Sequence, residues 1–161
     1  THGSLVRLGI GLYGLWPSGG LRKRFAGEVT LLPALEWKTT IAQVKRVPRG
    51  ETVGYDRTYR ARKDMEIAIL PVGYYDGFDR ALSNRGTVLI RGKRAPIIGN
   101  VCMNISMVDV TGINARPGDV AVLIGKSGNE KITAEEFADA ARTINYEVIS
   151  RINISLPRVI V

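Results

Sequence analysis

The apolar residues of this chain fall in short runs that glycine, proline or asparagine cut off, and this pattern restricts the fold more than any other feature. Glu66 to Val72, Ile105 to Val110 and Val120 to Ile124 each read as a strand. Val88-Leu89-Ile90, the turn Arg91-Gly92-Lys93 and Pro96-Ile97-Ile98 read as a hairpin. Leu35 to Val47 alternates, with Leu35, Trp37, Thr39 and Ile41 on one face and Glu36, Lys38 and Thr40 on the other, until Pro48-Arg49-Gly50-Glu51 breaks it. Leu5 to Leu15 is strand-like, and Gly9, Gly11 and Gly14 would let a ligand or another backbone approach closely. Pro17-Ser18-Gly19-Gly20 reads as a turn and linker, and Asn114 to Asp119 and Gly125 to Lys131 as loops.

One helix stands out. Thr133-Ala134-Glu135-Glu136 is a capping box, flanked by Ile132 and Phe137 in the positions of a hydrophobic staple. Phe137, Ala140, Ala141 and Ile144 form the expected apolar stripe. Many short strands with one helix predict a β-barrel or sandwich-like domain. The pattern places the main domain at 21–161, after a short first element and linker at 1–20.

The chain's 161 residues suffice for one domain with a core. No apolar run approaches the ~20 residues of a membrane-spanning helix. The start, Thr1-His2-Gly3-Ser4, is neither a signal peptide nor an initiator context, and we expect a piece of a longer chain. Cys102 is the single cysteine and His2 the single histidine, which argues against an internal disulfide, a Cys/His metal site or a Cys-His nucleophile and fits a reducing compartment. The net charge of +8 leaves an anion- or nucleic-acid-binding β-domain as the alternative reading. The basic residues are dispersed, however, in groups such as Arg22-Lys23-Arg24, Lys45-Arg46 and Arg62-Lys63.

Several residues could carry chemistry. Tyr55 follows Gly54, with Arg57 close by; a phenol acts as a base at neutral pH only with help from cations or hydrogen bonds. Read alone, it is a half-buried strand tyrosine. Tyr74-Tyr75-Asp76-Gly77 follows a strand, where ligands are met, although Asp-Gly is also an ordinary turn. Met103 sits between Cys102 and Asn104; its backbone N–H could bind a carboxylate, while its side chain alone reads as packing. Gly9 and Ile10 offer backbone amides to a phosphate, and Arg7 a permanent cation, though a lone Gly-x-Gly is weak evidence.

Taken in order, these segments resemble the C-terminal part of alanine racemase, a fold-type III pyridoxal-phosphate enzyme of bacterial cell-wall metabolism. The resemblance runs through Arg7 to Gly14, Val53-Gly54-Tyr55, Gly73-Tyr74 with Asp76-Gly77, Arg91 to Ile97, Cys102-Met103, Ile144 to Val148 and Leu156-Pro157-Arg158. It implies a mostly β, barrel- or Greek-key-like C-terminal domain with one helix. Residues 1–20 would be the last strand and linker of a (β/α)8 barrel that this chain otherwise lacks.

The resemblance further implies roles. Tyr55 matches the catalytic tyrosine that accepts the proton of the L-enantiomer, and Met103 the residue whose backbone N–H binds the substrate carboxylate. Tyr74 matches the inner-gate tyrosine and Arg80 an arginine of the substrate channel. Arg7 matches the arginine facing the cofactor's pyridine nitrogen, Gly9 and Ile10 phosphate-binding amides, and Tyr146 a tyrosine bonded to the phosphate. The cofactor lysine would lie outside this chain, in the missing barrel. The implied protein is a cytoplasmic homodimer that interconverts L- and D-alanine for peptidoglycan. Tyr55 and Met103 would act across the subunit interface, and this chain alone would be inactive. No metal, nucleic acid or membrane is implied. A racemase for serine or of broad specificity would share these motifs. Asn104 stands where an aspartate is usual and Asn100 where a channel arginine is often found. The upstream phosphate-binding serine has no clear match in Thr1 to Ser4.

Overall fold

The structure, a computed structural model, describes residues 3–160, so His2 lies outside the described residues. The chain forms two compact units, Thr1–Glu36 and Trp37–Val161. The 20/21 boundary expected from the turn signal falls inside the first of these.

In the first unit the expected strand at Leu5 to Leu15 does not form. The glycines that would have broken its regularity tighten the chain into a 3-10 turn at Ile10–Tyr13. Gly14 ends the turn at φ 68°, and its N–H donates to the Gly11 carbonyl at 3.0 Å. A Cβ there would overlap the Leu32 carbonyl, so only glycine lets the following segment cross at this point. Pro17 to Gly20 is also more than a turn. Ser18 caps a short helix, α1 (Gly19–Arg24), by accepting from the Leu21 N–H at 3.2 Å. Arg22, Lys23 and Arg24 occupy its last turn, where cations suit the helix dipole.

The second unit is mostly β and antiparallel. Its strands are β1 (Trp37–Thr40), β2 (Gln43–Val47), β3 (Thr52–Val53), β4 (Tyr59–Arg60), β5 (Met65–Leu70), β6 (Thr87–Ile90), β7 (Lys93–Pro96), β8 (Ser106–Asp109), β9 (Val120–Ser127) and β10 (Glu130–Ile132). One sheet runs β1-β9-β6-β7, with β10 also paired to β9. A second runs β2-β5-β8, and β3 and β4 form a ribbon. The two sheets meet at both edges. An isolated bridge between Ile97 and Val108, with the Ile98 N–H on the Met107 carbonyl at 3.0 Å, joins β7 to β8. At the other edge the chain itself passes from β1 into β2, which closes a barrel-like wall.

That passage corrects the single strand expected over Leu35 to Val47. The Ile41 N–H still donates to the first sheet's side, at the Asp119 carbonyl, whereas the Ala42 N–H donates to Ile69 in the second sheet, both at 2.9 Å. Alternation holds from Trp37 to Ile41, both buried, and lapses only at the switch itself, where Ala42 and Gln43 are both exposed and Val44 becomes the next inward residue. The loop expected over Gly125 to Lys131 is instead the hairpin of β9 and β10, turning at Gly128 with φ 58°.

The core explains the apolar runs. Val88, Leu89 and Ile90 of β6 and Ala121 and Leu123 of β9 have no exposed surface, so these strands are covered on both faces. Trp37, Phe78 and Phe137 form an aromatic cluster with centroids 5.7–6.2 Å apart, tying β1, the segment after Gly77 and a helix together. That helix, α2 (Ala134–Ala141), starts where the capping box predicts: the Thr133 hydroxyl accepts from the Glu136 N–H at 3.1 Å. The Glu136 carboxylate turns away to Arg94, whose guanidinium also holds Glu130 and the Lys131 carbonyl. The buried stripe is Ala134, Phe137, Ala138 and Ala141. Ile144, expected in it, is exposed, because it caps a second helix, α3 (Asn145–Arg151), which was not expected. Ile144 offers no side-chain cap, so α3 has no start signal in the sequence. Among the described residues no helix is long and apolar enough to cross a membrane.

Candidate active site

The strand-end loops of the second unit converge on one segment, Gly99 to Met103. Above it lies the turn that carries Tyr55. Gly54, at φ 78°, brings the chain so close that a Cβ would sit 2.9 Å from the Met107 Cε and 3.4 Å from the Asn100 nitrogen. Gly99, at φ 72°, makes the reciprocal approach to the Val53 carbonyl. A small cluster of Val53, Ala61, Met65, Ile67, Ile98 and Met107 packs beneath. The next turn of chain is strained: Asp56 at φ 60° and Arg57 at φ 51° both occupy the left-handed region. Such residues cost of order 1–3 kcal/mol each and persist where their surroundings hold them.

On the other side of Gly99 to Met103 lies the Tyr74 turn, a 3-10 turn at Tyr74–Asp76. The Tyr74 N–H donates to the Cys102 carbonyl at 3.0 Å and the Tyr75 N–H to the Met103 carbonyl at 2.9 Å. The Cys102 N–H donates to Ile105 at 2.9 Å and closes the loop on itself. Asp76 reaches back to accept from the Gly73 N–H at 2.9 Å. A Cβ on Gly73 would overlap the carbonyls of both Cys102 and Met103, so glycine is what allows these bonds.

The structure therefore brings Tyr55, Tyr74, Arg80 and Met103 around one loop. Tyr55 is 74% exposed, Met103 56% and Tyr74 44%. Arg80 opens a further 3-10 turn, Arg80–Leu82, and its Nη2 stands 3.9 Å from the Asp56 carboxylate. Arg80, Tyr74, Gly77, Asp79 and Arg151 line an open groove of about 390 Å³. Tyr146 lies in the first turn of α3. The far end of that helix is pinned beside the Tyr74 turn, since Arg151 donates to Asp79 at 2.8 Å and the Asn153 N–H to the Asp76 carbonyl at 3.0 Å. Arg7, Gly9 and Ile10 belong to the first unit. There Arg7 and the Gly9 backbone are exposed, while the Ile10 side chain is buried.

Sequence reasoning missed the residues that hold this arrangement. Asn100 is buried and makes contact with both the Tyr55 turn and Thr58. Asn84 accepts from the Gly99 N–H at 2.7 Å and donates to Thr58 at 3.1 Å, and the Ser83 hydroxyl accepts from the Val101 N–H at 2.9 Å. Lone Asn, Ser and Thr residues in loops carry no motif. The one available sign was the departure at Asn100.

Strong charge pairing lies elsewhere. Asp119 is held below the usual carboxylate range by hydrogen bonds from the Arg91 guanidinium and then from the Arg116 N–H. Arg94 is held above its ordinary value by Glu136 first and Glu130 second.

A mostly β, antiparallel domain that presents two tyrosine turns against the one segment from Gly99 to Met103 defines a class, and comparison with known proteins gives that class its family. A model of "Alanine racemase, C-terminal domain" matches residues 34–160, and the chain belongs to that family. An alanine racemase of Leptospira interrogans is 45% identical over 168 residues, spanning all of this chain and 43% of the relative. The crystal structure of alanine racemase from Bacillus anthracis with bound L-Ala-P matches with a TM-score of 0.85 and 39% identity, over 90% of this chain and 36% of that one. Alanine racemase from Bartonella henselae with covalently bound pyridoxal phosphate matches with a TM-score of 0.78 and 30% identity, over 90% of this chain and 38% of that one. The chain thus spans about two fifths of the length of the relatives it matches.

Proposed function

We propose that this chain is the C-terminal portion of a cytoplasmic, pyridoxal-phosphate-dependent alanine racemase that supplies D-alanine to peptidoglycan. The observation that carries this is the convergence of the Tyr55 and Tyr74 turns on one segment, the first at Gly99 and Asn100 and the second at Cys102 and Met103. Racemisation needs a proton removed from one face of the α-carbon and returned on the other. Tyr55 is the base on the L face, and its exposure leaves the hydroxyl open to a second surface. The Met103 N–H holds the substrate carboxylate, on a loop whose carbonyls are fixed by Tyr74 and Tyr75. Tyr74 gates the path and Arg80 lines it, beside a groove edged by Arg151.

This chain's donor set fits the cofactor. Arg7, the amides of Gly9 and Ile10 and the Tyr146 hydroxyl are all hydrogen-bond donors, as an anionic phosphate and an unprotonated pyridine nitrogen require. Nothing lies within 4 Å of where a Gly9 Cβ would be, so that backbone face is open, and Ile10 begins a 3-10 turn whose leading N–H groups have no partner within the turn. When bound, pyridoxal phosphate supplies an electron sink for the α-carbon. Arg7 would hold the pyridine nitrogen of the cofactor as a permanent donor that gives up no proton to it, which would temper the sink. The attachment lysine belongs to an N-terminal barrel outside this chain. Tyr55 and Met103 serve the partner subunit's cofactor in a homodimer, and Arg7, Gly9, Ile10 and Tyr146 their own. In this reading residues 1–20 are the end of the barrel and its linker, and the chain alone is inactive.

The test is alanine racemisation by the full-length protein with added pyridoxal phosphate, in the parent and in Tyr55→Phe. Loss of turnover in the variant supports the assignment. Equal rates in both would remove Tyr55 from the chemistry, and an inactive parent over a panel of small amino acids would remove the racemase reading.

A further inference from the structure

We infer that Asn100 is a positioning residue that sets the aim of Tyr55 and its spacing from Met103; this rests on the roles proposed above for those two residues. Within this chain Tyr55 is 74% exposed, so what the chain itself contributes to its direction is the backbone that carries it. That backbone lies between Gly54 at φ 78° and the left-handed pair Asp56 and Arg57. A turn of this kind relaxes unless something distant in sequence holds it.

Asn100 is what holds it. Its Nδ2 donates to the Tyr55 carbonyl at 3.2 Å and to the Asp56 Oδ2 at 3.0 Å. Its Oδ1 accepts from the Thr58 hydroxyl at 3.3 Å. One planar amide therefore spans the turn from Tyr55 to Thr58. The orientation of the amide follows from its neighbours. The Thr58 hydroxyl already accepts from Asn84 at 3.1 Å, so its own proton goes to Asn100, and the Asp56 carboxylate takes the acceptor's part. An aspartate at 100 would have no proton to give and would face Asp56 with like charge. An alanine would leave the Tyr55 carbonyl without this donor.

Asn100 is itself fixed on both sides. The Gly99 N–H donates to Asn84 at 2.7 Å and the Val101 N–H to Ser83 at 2.9 Å. Ser83 is tied in turn to the Arg80 carbonyl at 2.5 Å. Two residues beyond Val101 is Met103. Asn100 thus couples the base and the carboxylate holder through a single short stretch of chain. Misplacing a reacting group by about 1 Å can cost on the order of 100-fold in rate.

The experiment uses the full-length protein with pyridoxal phosphate and measures kcat/KM and the α-deuterium isotope effect with L- and D-alanine. For Asn100→Ala we expect kcat/KM to fall about 10- to 100-fold. The isotope effect should rise for L-alanine relative to D-alanine, because proton removal by a misaimed Tyr55 becomes the slower half; a general loss of structure would not produce that asymmetry. Asn100→Asp should fall further, and adding Asp56→Asn should recover part of the loss by restoring an amide-carboxylate pair with the donor reversed. Thr58→Val, an exposed substitution that keeps the fold, should move both readouts in the same direction by a smaller factor, and it decides the matter where Asn100→Ala does not fold. Parent-like rates in Thr58→Val together with a parent-like isotope ratio in the folded Asn100 variants would overturn the inference. Tyr55→Phe separates the two levels. If it is inactive while the Asn100 and Thr58 variants behave as the parent, only this inference falls. If it is as active as the parent, the role of Tyr55 falls first.

Discussion

The backbone N–H of Tyr74 donates to the carbonyl of Cys102 at 3.0 Å, and Gly73 is the residue that lets the two segments come that close. A side chain on Gly73 has to displace the carbonyls of Cys102 and Met103. We predict that Gly73→Ala destabilises the protein by about 1–3 kcal/mol, the usual cost of overpacking. Under the role proposed for Met103, it should also raise the full-length protein's KM for alanine, because the Met103 N–H moves with its loop. Urea unfolding and steady-state kinetics on the same preparation check both effects.

Tyr55→Phe removes one exposed hydroxyl. Its effect on stability should stay within about 0.5 kcal/mol, as for other surface changes. Under the acid-base role proposed for Tyr55, kcat/KM of the full-length protein should fall about 10²- to 10⁴-fold, the range for a positioned acid-base group. Thermal unfolding and racemisation in both directions would show the separation, and a variant that loses stability and activity in proportion would contradict it.

Phe78 is 1% exposed and sits between Trp37 and Phe137. Phe78→Ala should cost about 3–5 kcal/mol through lost burial and the cavity left behind. Phe78→Leu should cost markedly less, since much of the volume is kept. Chemical denaturation of the two variants side by side is the measurement.

Arg94 bonds Glu130, Glu136 and the Lys131 carbonyl, but its side chain is 42% exposed. Solvent screening limits what the pairs contribute. Arg94→Met should destabilise by about 1 kcal/mol at low salt. The difference should shrink as salt rises past the point where the Debye length is about 8 Å. A difference that does not vary with salt would mean that packing of the arginine stem, rather than charge, is what was lost.

Asp119 provides a pH test with a definite sign. Its carboxylate titrates below its unfolded value because Arg91 and the Arg116 N–H hold the charged form. A depressed carboxylate contributes stability that is fully present above the unfolded pKa of about 3.9 and is lost as pH falls through the folded value. The gap in melting temperature between the parent and Asp119→Asn should therefore be steady from pH 7 to about pH 5 and close below about pH 4. A gap that widens on acidification would contradict the pairing.

What the sequence made legible followed local rules. Val88 to Ile90 and Ala121 to Ile124 are buried on both faces and read as strands because they are uninterruptedly apolar. Thr133 starts α2 because its hydroxyl can cap. The misread elements were those whose shape depends on distant partners. Ile41 and Ala42 change sheets within one residue, marked in the pattern only by a slip of phase at Gln43, and their partners Asp119 and Ile69 lie far along the chain. The helix α3 begins at Ile144 with no capping side chain. Gly125 reads as loop, yet it lies within β9 because Ile132 pairs beside it. At the site the ordered motifs pointed to Tyr55, Tyr74 and Met103. Asn84, Thr58 and Asn100 became visible only through hydrogen bonds that span long stretches of chain.

The central position of β9 also determines the order in which this domain can be completed. Val120–Ser127 pairs with β1, β6 and β10, so the first and middle strands of the larger sheet share a neighbour that comes late in the chain. Synthesis from the N-terminus exposes β1 and β6 before their common partner exists. Pairings as distant as Trp37 with Ile124 also carry a high loop-closure cost and slow folding. Until β9 has been made, β1 and β6, the latter apolar from Val88 to Ile90, lack their common neighbour, and that interval is when open strand edges leave the chain most exposed to aggregation.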